Sequence, residues 1–190
     1  STSTLNTKNK IEIPKNKTIE HELEIVILIG KDGSPRTWYK DGEDKGWQEN
    51  YNNGVLNGKF NNLSPYADVR GVGTYNEGVK TGDWEEYYSS IDGSLERSQT
   101  GSYQFGKKVG IWSLYAKNGR RVAEGTYRDD VKEGEWTEGP DIYFGSRFFG
   151  KGTYSNNEKN GSWNYVAPRQ NPTIEGSFTD GEPSGKWQVM

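Results

Sequence analysis

The chain of 190 residues contains no cysteine and a single histidine, His21. Without cysteine it can form neither a disulfide framework nor a thiolate metal site. One histidine also excludes a metal site or an acid–base scheme built from several imidazoles. The net charge is only −3, so the chain lacks the basic surface expected of a nucleic-acid-binding protein.

Aliphatic side chains are also scarce, and only 30% of the residues are hydrophobic. The longest apolar run, Ile25–Ile29, is far shorter than the roughly 20 residues of a membrane-spanning helix, so no membrane span is expected. What the chain has instead is 25 glycines, 12 tyrosines, 7 tryptophans and 6 phenylalanines. These numbers predict a thin core made of aromatic rings. Each buried ring contributes several kcal/mol at most, but a row of such rings could hold a sheet that has few aliphatic residues.

The glycines and aromatics recur in a fixed pattern, which is most complete at Gly101–Gly119. In this copy a leading glycine stands two residues before the leading aromatic, which is taken as position zero. A turn glycine follows near position +3, a second glycine at +7 and a second aromatic at +9. Six copies are present, and their leading aromatics lie 24 to 28 residues apart. Such a period is typical of a stacked repeat array. The expected repeat core consists of the leading and second aromatics: Tyr51, Phe60, Tyr75, Trp84, Tyr103, Trp112, Tyr127, Trp136, Tyr154, Trp163, Phe178 and Trp187.

Each repeat predicts a β-hairpin, because its aromatics lie in short runs bounded by glycines. At position +3, Asp130 and Asn157 replace glycine, and both residue types tolerate a left-handed backbone. Dipeptides that favour two-residue hairpin turns occur at five places. They are Asn53-Gly54, Asp92-Gly93, Asn118-Gly119, Asn160-Gly161 and Asp180-Gly181.

The predicted fold class is therefore all-β, an elongated single-sheet antiparallel meander of stacked hairpin repeats. Residues 1–18 are expected to be a flexible leader, with a surface tether as the alternative. Residues 19–48 are predicted to form a capping strand and a degenerate repeat, and residues 49–190 six hairpin repeats. His21 falls on the apolar phase of the first strand, which favours a packing role. The end of the array offers a route to homo-oligomers by strand pairing.

Two connections are longer than the others, and their extra residues fall in Tyr88–Thr100 and Glu138–Gly150. Insertions of this kind form a binding surface in many repeat proteins, although loop length also varies without any function. The second insertion carries several apolar side chains, which must pack on the sheet or meet a partner. Candidate partner-binding residues are the aromatics outside the repeat core: Trp38, Trp47, Tyr87, Tyr143, Phe144, Phe148 and Phe149.

The pattern G-x-Y-x-x-G-x-x-x-G-x-W-x-x-Y-x-x-N-G at Gly101–Gly119 resembles the bacterial variant of the MORN repeat, over about three quarters of the chain. The resemblance implies an array of β-hairpins in one sheet and no catalytic residues. It also implies a bacterial protein of antitoxin-like or exported type, or a scaffold.

Together these features predict a non-enzymatic protein-binding module of antitoxin or immunity type, without cofactor or metal. The sheet face and the loops 88–100 and 138–150 are expected to contact the partner. An exported or cell-surface structural protein that binds glycan is the alternative, so the compartment stays open between cytoplasm and surface. A carbohydrate-active enzyme that uses two of the many carboxylates is a third hypothesis.

Overall fold

A computed structural model describes residues 36–38, 47–63, 67, 69–89, 94–140, 148–167 and 172–190, with the backbone alone for residues 36–38, 47, 48 and 51. The predicted leader, the capping strand and Asp92-Gly93 lie outside these residues. All regular structure in the described part of the chain is β-strand. The chain divides into two units, Ser1–Leu95 and Glu96–Met190.

The first unit contains five strands in the described residues: β1 (Arg36–Trp38), β2 (Trp47–Asn52), β3 (Val55–Asn62), β4 (Gly71–Asn76) and β5 (Val79–Tyr87). Each strand pairs antiparallel with the next one along the chain. The repeats that begin at Tyr51 and Tyr75 supply the hairpins β2–β3 and β4–β5.

The second unit contains β6 (Arg97–Gln104), β7 (Lys107–Tyr115), β8 (Arg121–Arg128), β9 (Val131–Glu138), β10 (Phe149–Ser155), β11 (Glu158–Val166), β12 (Thr173–Thr179) and β13 (Glu182–Val189). Successive strands again pair antiparallel, two per repeat. The predicted all-β, single-sheet antiparallel meander is thus confirmed within each unit. Part of the first long insertion belongs to the sheet, because β6 already begins at Arg97.

The hairpin turns are two-residue turns in which both residues have positive φ, as in type I′ turns. The prediction is confirmed for Asn53-Gly54, with φ of 49° and 79°, and for Asp180-Gly181, with 49° and 80°. It is wrong for Asn160-Gly161, which lies inside β11, and that repeat turns at Asn156-Asn157 instead. It is also wrong for Asn118-Gly119, because only Gly119 there has positive φ.

The glycine at position +7 forms a β-bulge. Its φ is positive in all six repeats, and the strand register shifts within each hairpin. A bulge places two residues opposite one, and glycine adopts the left-handed conformation that this requires. Position +7 therefore bends the strand, whereas the chain reverses at the two-residue turn formed by positions +2 and +3.

The leading glycine has a third role, since it makes room for an indole. A methyl group at Gly125 would lie 2.1 Å from Cδ2 of Trp136, and equivalent overlaps of 2.0 to 2.3 Å occur in four other repeats. Each second-position tryptophan thus lies directly against the backbone of its own repeat. The neighbouring tyrosine rings meet it edge-on, with Tyr127 at 5.2 Å and Tyr154 at 5.7 Å from Trp136.

These contacts bury the rings although the sheet has one layer. Trp84, Trp112, Trp136 and Trp163 are at most 2% exposed. Phe60, Tyr75, Tyr103, Tyr154 and Phe178 are also buried, and Tyr127 and Trp187 are half-buried. The aromatics therefore stack on one another as a core, and they do not form an accessible ladder. Nothing is described of the Tyr51 side chain.

A lysine at position +5 covers each of four indoles: Lys80, Lys108, Lys132 and Lys159. Their Nζ atoms lie 4.2 to 4.6 Å from the ring centroids, within the range of cation–π attraction. Lys132 also lies 4.6 Å from the ring of Tyr154 in the next repeat, so the lysine links neighbouring repeats. Carboxylates balance these charges, as when Glu138 accepts from Lys132 at 3.3 Å and from Lys159 at 3.1 Å.

Candidate partner-binding groove

The opposite face of the second unit is polar, because side chains alternate between the two faces of each strand. Cross-strand partners form a continuous row of polar residues over seven strands, from β7 to β13. The row consists of Ser113, Glu124, Thr137, Lys151, Asn164, Glu175 and Gln188. Each of the strands β7, β9 and β11 carries a buried tryptophan next to its row residue, and that tryptophan points to the other face.

The polar row runs through a groove of about 990 Å³, lined by strands β8 to β13. Its residues from the row are Thr137, Lys151, Asn164, Glu175 and Gln188. Glu135, Ser162, Ser177 and Lys186 continue the polar lining. A groove of this size can hold several residues of a peptide or a short oligosaccharide.

Charges of both signs line the groove. Arg121, Lys151 and Lys186 supply positive charge, and Glu135 and Glu175 supply negative charge. Glu138 also borders the groove, but its carboxylate bonds to Lys132 and Lys159 on the aromatic face. Lys151 pairs with Glu135 at 3.5 Å, and the amide of Asn164 donates to Glu175 at 2.8 Å. This mixture of charges suits a ligand with complementary polar groups better than a ligand of one charge.

An apolar pair stands at one end of this polar surface. Phe149 of β10 and Val166 of β11 are cross-strand partners, and each is 41% exposed. Both line the groove, and each lies two residues along its strand from Lys151 or Asn164, on the same face of the sheet. An exposed aromatic with an aliphatic neighbour, surrounded by hydrogen-bonding groups, has the composition of a binding hot spot.

The seven predicted contact residues fall in different places. Phe149 lies in the groove, whereas Phe148 is half-buried and packs against the core cluster that contains Trp163. Tyr87 is half-buried, and its hydroxyl donates to Glu85 at 2.7 Å. Trp38 and Trp47 are backbone partners in the β1–β2 pair, and their side chains lie outside the described part. Tyr143 and Phe144 lie outside the described residues as well.

The polar row was not predicted from the sequence, because the prediction considered only the strand residues on the aromatic face. The residues on the opposite face also recur, with a polar residue at position +10 in Thr137, Asn164 and Gln188. The prediction also treated Asp130 and Asn157 only as tolerated turn residues. Their Oδ1 atoms accept hydrogen bonds at 2.8 Å from the backbone N–H groups of Lys108 and Lys132 in the preceding repeat.

No group of three or more metal-ligating side chains occurs among the described residues, and none of these residues forms a helix that could span a membrane. Tyr127 has a perturbed pKa: burial raises it above the ordinary value, and the nearby negative charges of Asp130 and Glu138 raise it further. Tyr127 lies on the aromatic face with Trp136, away from the groove.

The fold defines the chain as an all-β protein of repeated hairpins with a polar groove on the face opposite its aromatic core. No protein-family model matches the chain, and no curated protein has a matching sequence.

Proposed function

We propose that the chain is a non-enzymatic binding module and that the groove of β8–β13 holds an exposed segment of a protein partner. The observation that carries this proposal is the apolar pair Phe149 and Val166 at the end of a concave polar surface. Trp112, Trp136 and Trp163 on the other face are buried, so they are not available as contacts. The groove is a concave surface on which both apolar and hydrogen-bonding groups are exposed.

The composition of the groove favours a polypeptide ligand. An apolar side chain of the partner would cover Phe149 and Val166, and its backbone and polar side chains would bond to Lys151, Asn164 and Glu175. In protein interfaces a central apolar contact supplies most of the affinity, while surrounding polar groups supply specificity. The mixture of acids and bases suits this division, because it orients a ligand without attracting every charged molecule.

The resemblance to the bacterial MORN variant supports an antitoxin or immunity role, in which the partner is a toxin. The second long insertion would extend the contact surface, since it joins β9 to β10 beside Phe149. The antitoxin role requires that the partner be a toxin, whereas binding of a partner segment in the groove does not.

The test compares Phe149→Ser with Ile111→Ser as bait variants in a lysate of the native source. Ile111 is 70% exposed on β7 and does not line the groove, so its variant controls for the loss of an exposed apolar side chain. We expect the wild type and Ile111→Ser to recover the same protein and Phe149→Ser to lose it. The recovered protein is then purified and titrated by calorimetry, where Phe149→Ser should weaken binding roughly tenfold or more.

Equal binding by Phe149→Ser and the wild type would contradict the proposal, provided that both variants unfold at similar temperatures. A glycan is the second candidate, because the exposed ring of Phe149 stands near the Asn164–Glu175 pair and aromatic rings with amides and carboxylates also suit sugars. Binding to immobilised polysaccharides that is lost in both Phe149→Ser and Asn164→Ala, without any protein partner, would replace the protein proposal by this one.

A further inference from the structure

Phe105 is the most exposed of the large hydrophobic side chains in the described residues, at 82%. It occupies the first position of the β6–β7 turn, with φ of 51°. The five other hairpins carry a polar residue at this position: Asn53, Glu77, Asp129, Asn156 and Asp180. Phe105 is thus the one departure from a polar turn among the six described hairpins.

Nothing in the described part of the chain compensates for this choice of residue. A left-handed backbone is unfavourable for a bulky side chain, and Asn or Asp tolerates it better because of local hydrogen bonding. Among the described residues, no aromatic ring contact involves Phe105, and its exposure leaves almost all of its apolar surface in water. A contact outside the chain would remove this surface from water.

The turn edge of the second unit carries more exposed acids than bases. In the next hairpin, Asp129 and Asp130 are exposed at the turn, and the following hairpins expose Glu158, Asp180 and Glu182. Neighbouring hairpin turns are separated by two strand spacings, or roughly 10 Å. The exposed bases near these turns are Lys107 and Arg128. An apolar side chain that projects beside an acidic edge complements an apolar pocket bordered by lysine or arginine.

We propose that the turn edge of the second unit is a second docking surface, separate from the groove, and that Phe105 inserts into an apolar pocket of a basic protein partner. An anionic membrane would repel the acids of this edge. A second copy of the same edge would bring like charges together, which disfavours self-association here. A basic protein surface satisfies both the ring and the charges.

The test places the photo-crosslinking residue p-benzoylphenylalanine at position 105 in cells of the native source. The matched control carries it at position 111 of the same hairpin, where Ile111 is 70% exposed. A protein crosslinked from 105 and not from 111 is purified and titrated with the unmodified chain. We expect Phe105→Asn to weaken its binding roughly tenfold or more and to raise the melting temperature of the chain, because Asn suits the turn.

The charge part of the proposal is tested with Asp129→Asn and Lys107→Gln, which should respectively weaken and strengthen binding at low salt. Phe149→Ser should leave the 105-dependent binding unchanged, so failure of the groove proposal and failure of this one are distinguishable. The proposal is overturned if position 105 crosslinks no protein, crosslinks only a second copy of the chain, or crosslinks a protein that binds Phe105→Asn equally well. Phe105-dependent binding to phosphatidylserine vesicles would also overturn it.

Discussion

Substituting the leading glycine of one repeat tests how the one-layer sheet buries its tryptophans. In Gly125→Ala, the new methyl group would lie 2.1 Å from Cδ2 of Trp136, where ordinary contacts are 3.4 Å or longer. The strand backbone cannot move away, because β8 is paired on both sides. The indole must therefore shift by more than about 1 Å.

That shift disturbs every contact of the ring. Trp136 is 1% exposed, its Nε1 donates to the carbonyl of Thr126 at 3.2 Å, and Lys132 lies 4.4 Å above its centroid. Complete loss of a buried tryptophan costs about 3–5 kcal/mol, and overpacking costs about 1–3 kcal/mol. We expect Gly125→Ala to lower the free energy of unfolding by about 3 kcal/mol, with a fall in melting temperature of about 6–12 °C.

The matched control is Gly134→Ala in the same repeat, at the bulge. A methyl group there meets no atom within 4 Å, but φ of 70° makes the backbone unfavourable for alanine. Its cost should be about 1–2 kcal/mol, and Gly134→Asn should recover part of it, whereas Gly125→Asn should be no better than Gly125→Ala. Urea titrations followed by tryptophan fluorescence measure all four variants. Equal costs for the two alanine variants, or rescue of Gly125 by asparagine, would refute the distinction between indole-packing and bulge glycines.

Lys132→Met should lower the free energy of unfolding by about 1–2 kcal/mol, because the cation–π contacts are lost. Lys151→Met, which removes an exposed ion pair, should change the free energy of unfolding by less than about 0.5 kcal/mol. Similar effects of the two variants in denaturant titrations would argue against the lysine-covered core. Asp130→Gly should lower the free energy of unfolding by about 1 kcal/mol, because the hydrogen bond to the preceding repeat is lost. Asp130→Ala should lower it by about 1 kcal/mol more, because alanine is strained in the left-handed conformation. Thermal unfolding of both variants checks this order of stabilities. The pKa of Tyr127 is raised from 10.0, so the folded state keeps a proton that the unfolded state loses, and stability should fall as pH rises above about 10. Tyr127→Phe should lessen this fall, and an unchanged slope of unfolding free energy against pH would disprove the assignment.

The candidate site was only partly predictable. Phe149 was identified because an aromatic outside the repeat pattern needs a separate explanation, and the structure places it in the groove. Its partner Val166 and the row through Asn164 were missed, because a groove across strands joins residues from different repeats. Only the strand register decides which of those residues are neighbours. Phe105 was missed for a simpler reason: position +2 was not part of the repeat pattern.

The amino-acid sequence alone specifies the hairpin repeat, because glycine and aromatic residues at a fixed spacing leave few alternatives to short strands and tight turns. It also determined the turn at position +3, where Asn, Asp and Gly are the residues that adopt positive φ. Only the packing of the folded chain separated the three kinds of glycine, since glycine can serve in a turn, in a bulge and as a slot for an indole. The same holds for the lysines: at position +5 they resemble ordinary surface charges, and only the packing of one repeat on the next places them over the aromatic rings.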